Sequence, residues 1–162
     1  MTEPPDLNPA FLAMIEKGVS LIVSSAGPDL VPSVMRAVGS RVDDGGRRIT
    51  AYLSRPQSTT LLRDIARSGR LAAVFSQPST HLTLQLKSRR VRLREADASD
   101  AAPLAAYLRS MQDELAALGY PRDLATVMLA HRRDDLVAVE FQPDEAFDQT
   151  PGLRAGARVG AA

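Results

Sequence analysis

The stretch Ser54-Arg55-Pro56-Gln57-Ser58-Thr59-Thr60 combines small hydroxyls, one arginine and the start of a helix. Those are the parts of a phosphate site. A helix N-terminus offers unpaired N–H groups at the positive end of its dipole, hydroxyls donate, and a guanidinium grips two oxygens at once. The same residues also make an ordinary capping segment, because Ser and Thr are preferred N-caps. Arg36 stands inside the apolar run VPSVMRAVG. Facing solvent it needs no partner; facing inward it needs an anion, since an unpaired buried charge is costly, and a phosphate held by the 54–60 turn supplies one. Thr83, Gln85 and Lys87 alternate with Leu82, Leu84 and Leu86, so they form the polar row of one strand. That row is the wet face of a two-sided sheet or the lining of a cleft. In a cleft, Gln85 suits a heterocycle, because its amide both donates and accepts.

Other chemistries find less support. The chain has no cysteine, which excludes disulfides, thiolate nucleophiles, iron–sulfur ligation and thiolate zinc sites. Its two histidines, His81 and His131, lie in QPSTHLTL and HRRDD, neither of them a recognisable triad setting. Asp43-Asp44 and Asp134-Asp135 read as turn and cap residues, so no metal site is expected. Arg89, Arg90, Arg92 and Arg94 form a basic cluster without the aromatic neighbours of a stacking platform for RNA. With 20 basic and 19 acidic residues the net charge is +1, too small to recruit nucleic acid by field alone. Lys17 and Lys87 are the only lysines, and this arginine bias leaves room for phosphate recognition. There is neither a Walker loop nor a GxGxxG turn.

The elements that must position these residues are legible in outline. Asn8 and Pro9 open a helix that Gly18 stops. Strands are expected at 19–25 and 30–38, with Pro32 marking an edge or a strand start. Asp43-Asp44-Gly45-Gly46 turns the chain into a strand over 49–53. After Pro56 the apolar period becomes 3.6, with Leu61, Leu62, Ile65 and Ala66 on one helical face, Ser58, Thr59 or Thr60 as cap and Gly69 as stop. LAAVFS (71–76) is apolar throughout and fits a strand buried on both faces. The alternation over 82–87 changes phase at Val91 and Leu93, which asks for a bulge or bend near 88–90. Ser99 and Asp100 open the longest helix, a shorter one starts at Pro121, and 136–141 is a last strand.

Six strand candidates in hairpin-like succession, with helices interspersed but not alternating, point to a mainly β protein: a small antiparallel barrel with peripheral helices. At 162 residues with 44% apolar positions, one domain is expected, over 1–148, followed by a flexible tail over 149–162 with nothing to pack. The acidic, proline-rich start is no signal peptide, and no apolar run reaches the roughly 20 residues of a bilayer span, so a cytoplasmic location is expected.

GVSLIVSS…PSVMRAVG, ITAYLSRPQSTTLLRDI and GRLAAVFSQPSTHLTLQLK together resemble the pyridoxamine 5′-phosphate oxidase-like family, over roughly residues 8–148. The resemblance implies a six-stranded split β-barrel that binds FMN, in a homodimer with flavin sites at the subunit interface. It places Arg36, Ser54, Arg55, Ser58 and Thr59 on the FMN phosphate and Gln85 on the flavin ring. Many relatives carry a lysine near this helix start, where the present chain has hydroxyls and Arg55. The C-terminus EAFDQTPGLRAGARVGAA lacks the basic and aromatic residues of the true oxidases, and the chain has no tryptophan. Flavin-dependent redox on another small molecule is therefore expected rather than pyridoxal-phosphate synthesis. A non-catalytic flavin- or haem-binding protein is the alternative.

Overall fold

A computed structural model describes residues 4–160. Helix α1 (Pro9–Lys17) begins where the Asn8 side chain accepts from the Phe11 N–H at 2.9 Å. It ends at Gly18, whose φ of +86° only glycine adopts without strain. The chain then builds β1 (Ser20–Ala26), β2 (Pro32–Arg36), β3 (Gly39–Asp43) and β4 (Arg48–Ser54), crosses α2 (Thr59–Ser68), and continues through β5 (Leu71–Ser76), β6 (Thr83–Ser88) and β7 (Val91–Glu95). Helices α3 (Ala101–Ala117) and α4 (Arg122–Met128) precede β8 (Leu136–Phe141), β9 (Glu145–Asp148) and the short β10 (Ala157–Arg158).

All neighbouring strands are antiparallel and form two sheets. One has the order β10-β9-β6-β5-β1-β2, the other β3-β4-β8-β7. The chain passes between them at 37–38, through α2 between β4 and β5, at 89–90 and at 142–144. This explains why more strands exist than the six expected. The run 30–38 ends as a strand at Arg36 because the next residues turn the corner into β3. The phase change after Lys87 is the corner at 89–90, where Ser88 Oγ accepts from the Arg90 N–H at 3.0 Å and donates to the Gln142 carbonyl at 2.7 Å. The core lies between the sheets, with Leu21, Val23, Phe75, Leu84 and Leu86 from one facing Ile49, Leu53, Val139 and Phe141 from the other. Leu61, Leu62 and Ile65 of α2 close it.

Two expectations are corrected. LAAVFS is fully covered on one face only: Leu71, Ala73 and Phe75 are buried, whereas Ala72, Val74 and Ser76 lie half-buried on the outer face, which no helix among the described residues seals. The tail after Gly152 does find packing, because β9 was an open edge. Ala157 and Arg158 pair with Asp148 and Phe147, and Val159 packs against the core.

Helix α3 is tied down by Glu114, buried to 2% exposure, which accepts from Lys17 Nζ, from Gln77 Nε2 at 2.9 Å and from the Ser79 N–H at 3.0 Å. Burial works against the charge, but the hydrogen bonds from Lys17, Ser79 and Gln77 prevail and hold the carboxyl at about 2, below its usual 4.5. A carboxyl depressed on folding contributes stability that is complete above pH 4.5 and disappears as the pH falls toward 2. Glu114→Gln is therefore expected to lower the urea midpoint at pH 7, with the gap to the parent closing between pH 4.5 and 2. A gap that stays constant across this range would show that the charge contributes nothing.

Candidate functional site

The 54–60 turn leaves β4 at its end and enters α2. Ser54 is buried and pairs with Leu136. The Arg55 N–H donates to the Asp135 carbonyl at 2.8 Å, and the Arg55 guanidinium pairs with Glu95 on the surface. The Ser58 N–H donates back to the Arg55 carbonyl at 3.1 Å, and Thr59 Oγ1 donates to that same carbonyl at 3.3 Å.

Ser58 occupies the N-cap of α2 without capping it. An N-cap normally has extended backbone so that its oxygen can reach the first-turn N–H groups. Ser58 instead has φ −116° and ψ 17°, and its side chain makes no cap hydrogen bond. Its Oγ is buried, at 1% residue exposure, and has no partner. Burying an unsatisfied hydroxyl costs about 1–3 kcal/mol. The first turn also lacks any acidic side chain. The start of α2 thus keeps its positive end uncompensated, next to a buried hydroxyl that is free to donate.

Arg36 and Gln85 share the outer face of the six-stranded sheet. The registers place Arg36 opposite Ile22, Ile22 opposite Val74, Val74 opposite Gln85, and Gln85 opposite Phe147. Three strand spacings separate Arg36 from Gln85, roughly 14 Å. Arg36 Nη1 donates to Ser20 Oγ at 2.7 Å, and Gln85 Oε1 accepts from Gln149 Nε2 at 3.3 Å. Among the described residues no hydrogen bond or ion pair joins Arg36 or Gln85 to the 54–60 turn. The structure therefore gathers Arg36 and Gln85 on one face and keeps Ser54, Arg55, Ser58 and Thr59 in a separate turn.

Sequence reasoning missed the neighbours of this pair. Ile22, Val74 and Phe147 are half-buried apolar residues of the same face. Ile22 and Val74 sit in runs that look like core throughout, and Phe147 lies in a segment that carried no strand signal. Tyr107 of α3 is buried near Arg36, with the Leu21 backbone beside its hydroxyl. Burial pushes its phenol up, with the Leu21 backbone and the Arg36 charge opposing.

Within the basic cluster Arg89, Arg90 and Arg92 are exposed, as a solvated strand face requires, and Arg94 is not. Arg94 donates to both carboxylate oxygens of Asp100, at 2.7 and 2.8 Å, and to Glu140 at 2.6 Å. Asp100, fully buried, also accepts from Tyr52 Oη at 2.6 Å and from the Asp97 N–H at 2.9 Å. The Arg94 bonds lead in holding this carboxyl well below the ordinary carboxylate range; burial opposes them, and Tyr52 and the Asp97 N–H assist. Arg90 pairs with Asp144 at 3.0 Å. These contacts tie Arg90 and Arg94 to carboxylates of the same chain. Among the described residues no group of three His, Asp or Glu could hold a metal ion, and no helix is long and apolar enough to cross a membrane.

No protein-family model and no curated protein matches this chain. Solved structures do. A pyridoxamine 5′-phosphate oxidase candidate from Lactobacillus delbrueckii is 12% identical, with a TM-score of 0.55 over 87% of this chain and 93% of that one. An F420 reductase is 15% identical, with a TM-score of 0.55 over 86% of this chain and 98% of that one. HutZ, the heme storage protein from Vibrio cholerae, is 11% identical, with a TM-score of 0.50 over 88% and 94%.

Proposed function

We propose that this chain, whose split-barrel fold is that of the pyridoxamine 5′-phosphate oxidase-like proteins, binds FMN and transfers electrons to or from a small molecule. The observation that carries the reading is the start of α2, where an uncapped helix end meets the orphaned, buried Ser58 hydroxyl. A phosphate is the ligand that satisfies both. Its oxygens accept from the first-turn N–H groups and, once the buried Ser58 side chain turns outward and Thr59 releases the Arg55 carbonyl, from both hydroxyls, and its charge complements the helix dipole. Arg55, engaged with Glu95, must leave that surface pair to take part, a small cost because exposed pairs contribute ~0–1 kcal/mol.

When bound, the flavin supplies the redox chemistry itself. The chain's residues hold and surround it. Arg36 adds a cation on the outer sheet face, and the Gln85 amide donates to and accepts from the edge of a heterocycle. Ile22, Val74 and Phe147 give the ring an apolar floor. A second copy of the chain completes the site: the uncovered face carries half-exposed Ile22, Val74 and Phe147 beside exposed Val34, so a partner sheet would bury this strip and exclude water from the flavin. The assembly is thus a homodimer with its flavins at the interface.

Ser58→Ala with Thr59→Ala tests the phosphate assignment. Removing the unpartnered Ser58 hydroxyl relieves a burial cost while Thr59→Ala gives up one exposed hydrogen bond, so the flavin-free protein is expected to be no less stable, whereas FMN affinity is expected to fall at least tenfold, about 1.4 kcal/mol for each tenfold. Equal affinity for FMN in the double variant would reduce the turn to a plain helix start.

The likeness to a heme storage protein favours one second reading, a haem-holding protein without turnover. His81 and His131 are both exposed, so neither presents a buried axial ligand within the chain itself. A Soret band on adding hemin, together with indifference to FMN, is the outcome that would favour it.

A further inference from the structure

A second cleft shares no residue with the proposed flavin site. It lies between α3 and the start of β8, with a volume of about 290 Å³. Val38, Leu104, Leu129 and Leu136 form its floor, and Ala101 and Ala105 of α3, being small, leave the space open. The floor joins the small core above the four-stranded sheet to the core between α3 and α4. A volume near the bottom of the roughly 300–1,000 Å³ range of ligand pockets admits only a small molecule.

The rim differs from the floor. Arg133 is exposed at the mouth and makes no ion pair among the described residues. His131 sits beside it, with Nδ1 donating to the Leu129 carbonyl at 2.8 Å, which fixes the ring's orientation. Asp97 is the one acidic residue of the lining, and its carboxylate is engaged. Oδ1 accepts from the Ser99 N–H at 2.8 Å and from Ser99 Oγ at 2.6 Å, and Oδ2 lies 3.6 Å from Arg94. The cleft therefore presents an apolar interior under a guanidinium that makes no ion pair among the described residues, with a carboxylate of the same lining already engaged by Ser99 and Arg94. That pattern fits a short apolar chain ending in a carboxylate, with the tail on the leucines and the head on Arg133.

We propose that this cleft binds small amphipathic carboxylates. Octanoate is the probe, titrated calorimetrically into the full-length protein, with 1-octanol as the uncharged control. Octanoate is expected to bind with one site per chain and at least tenfold more tightly than octanol. Arg133→Gln is expected to remove that preference. Ala105→Leu, a substitution that suits a helix, is expected to fill the cleft and abolish binding while the melting temperature and FMN binding stay unchanged. Failure of octanoate to bind, octanol binding as tightly, or undiminished binding by Ala105→Leu would each overturn the proposal.

Discussion

Asp100→Ala is expected to cost about 3–5 kcal/mol of stability, the scale for removing one member of a buried ion pair. Asp100 is fully buried and satisfies four donor groups: both Arg94 nitrogens, Tyr52 Oη and the Asp97 N–H. These link β7, β4 and the approach to α3. Loss of the carboxylate strands the Arg94 guanidinium, which retains only Glu140 and the Glu95 carbonyl as close partners, with Asp97 at 3.6 Å. It also strands the buried Tyr52 hydroxyl. Urea denaturation at pH 7 measures the loss. Glu95→Ala is the control, since its exposed pair with Arg55 contributes at most ~1 kcal/mol. A cost for Asp100→Ala no larger than that of the control would mean the network is solvated and replaceable.

Arg36→Ala is expected to weaken FMN binding by about 1.5–3 kcal/mol, the scale of a hydrogen bond to a charged group. The corresponding change in Kd is roughly 10- to 150-fold. Arg36 is half-buried at the end of β2, and its one side-chain hydrogen bond is to Ser20. Stability of the flavin-free chain should therefore move by no more than ~0.5 kcal/mol, as for other substitutions away from the core. Ser20→Ala separates the two roles, since it frees the guanidinium without removing it and should leave FMN affinity close to that of the parent. Fluorescence titration of FMN reads all three proteins. Unchanged affinity in Arg36→Ala would remove Arg36 from the site.

Most local structure was legible because it rests on local chemistry. Asn8 and Pro9 start α1, Gly18 and Gly69 end helices, and the Asp-Asp-Gly-Gly turn joins β3 to β4, each through backbone preferences that act within a few residues. The helix at 59–68 followed from apolar period together with its caps, and that at 101–117 from its start at Ser99 and Asp100. The corners between sheets were harder to read. Nothing local distinguishes Ala37 and Val38 from the strand before them, and only the long-range pairing of Gly39 with Tyr52 ends that strand. The pairing of β9 and β10 was likewise invisible, because it depends on the open edge of a distant hairpin.

The candidate site divides along the same line. The residue types of the 54–60 turn announced a helix start and left phosphate binding and plain capping both open, but not that Ser58 would be buried and unpartnered, which follows from the packing of α2 on the core. Alternation put Gln85 opposite the leucines, yet its sharing a face with Arg36 depends on the order β6-β5-β1-β2. Arg94 looked like one more solvated arginine. Its burial against Asp100 joins residues on either side of a tight turn through a tyrosine 48 positions away in sequence.

Loading the purified protein with FMN, desalting it and recording the visible spectrum is the most direct test of the central claim. Retained flavin bands at one FMN per chain, on a species that sediments as a dimer, are the predicted result. A desalted protein that carries no flavin, at FMN concentrations that saturate ordinary flavoproteins, would contradict it.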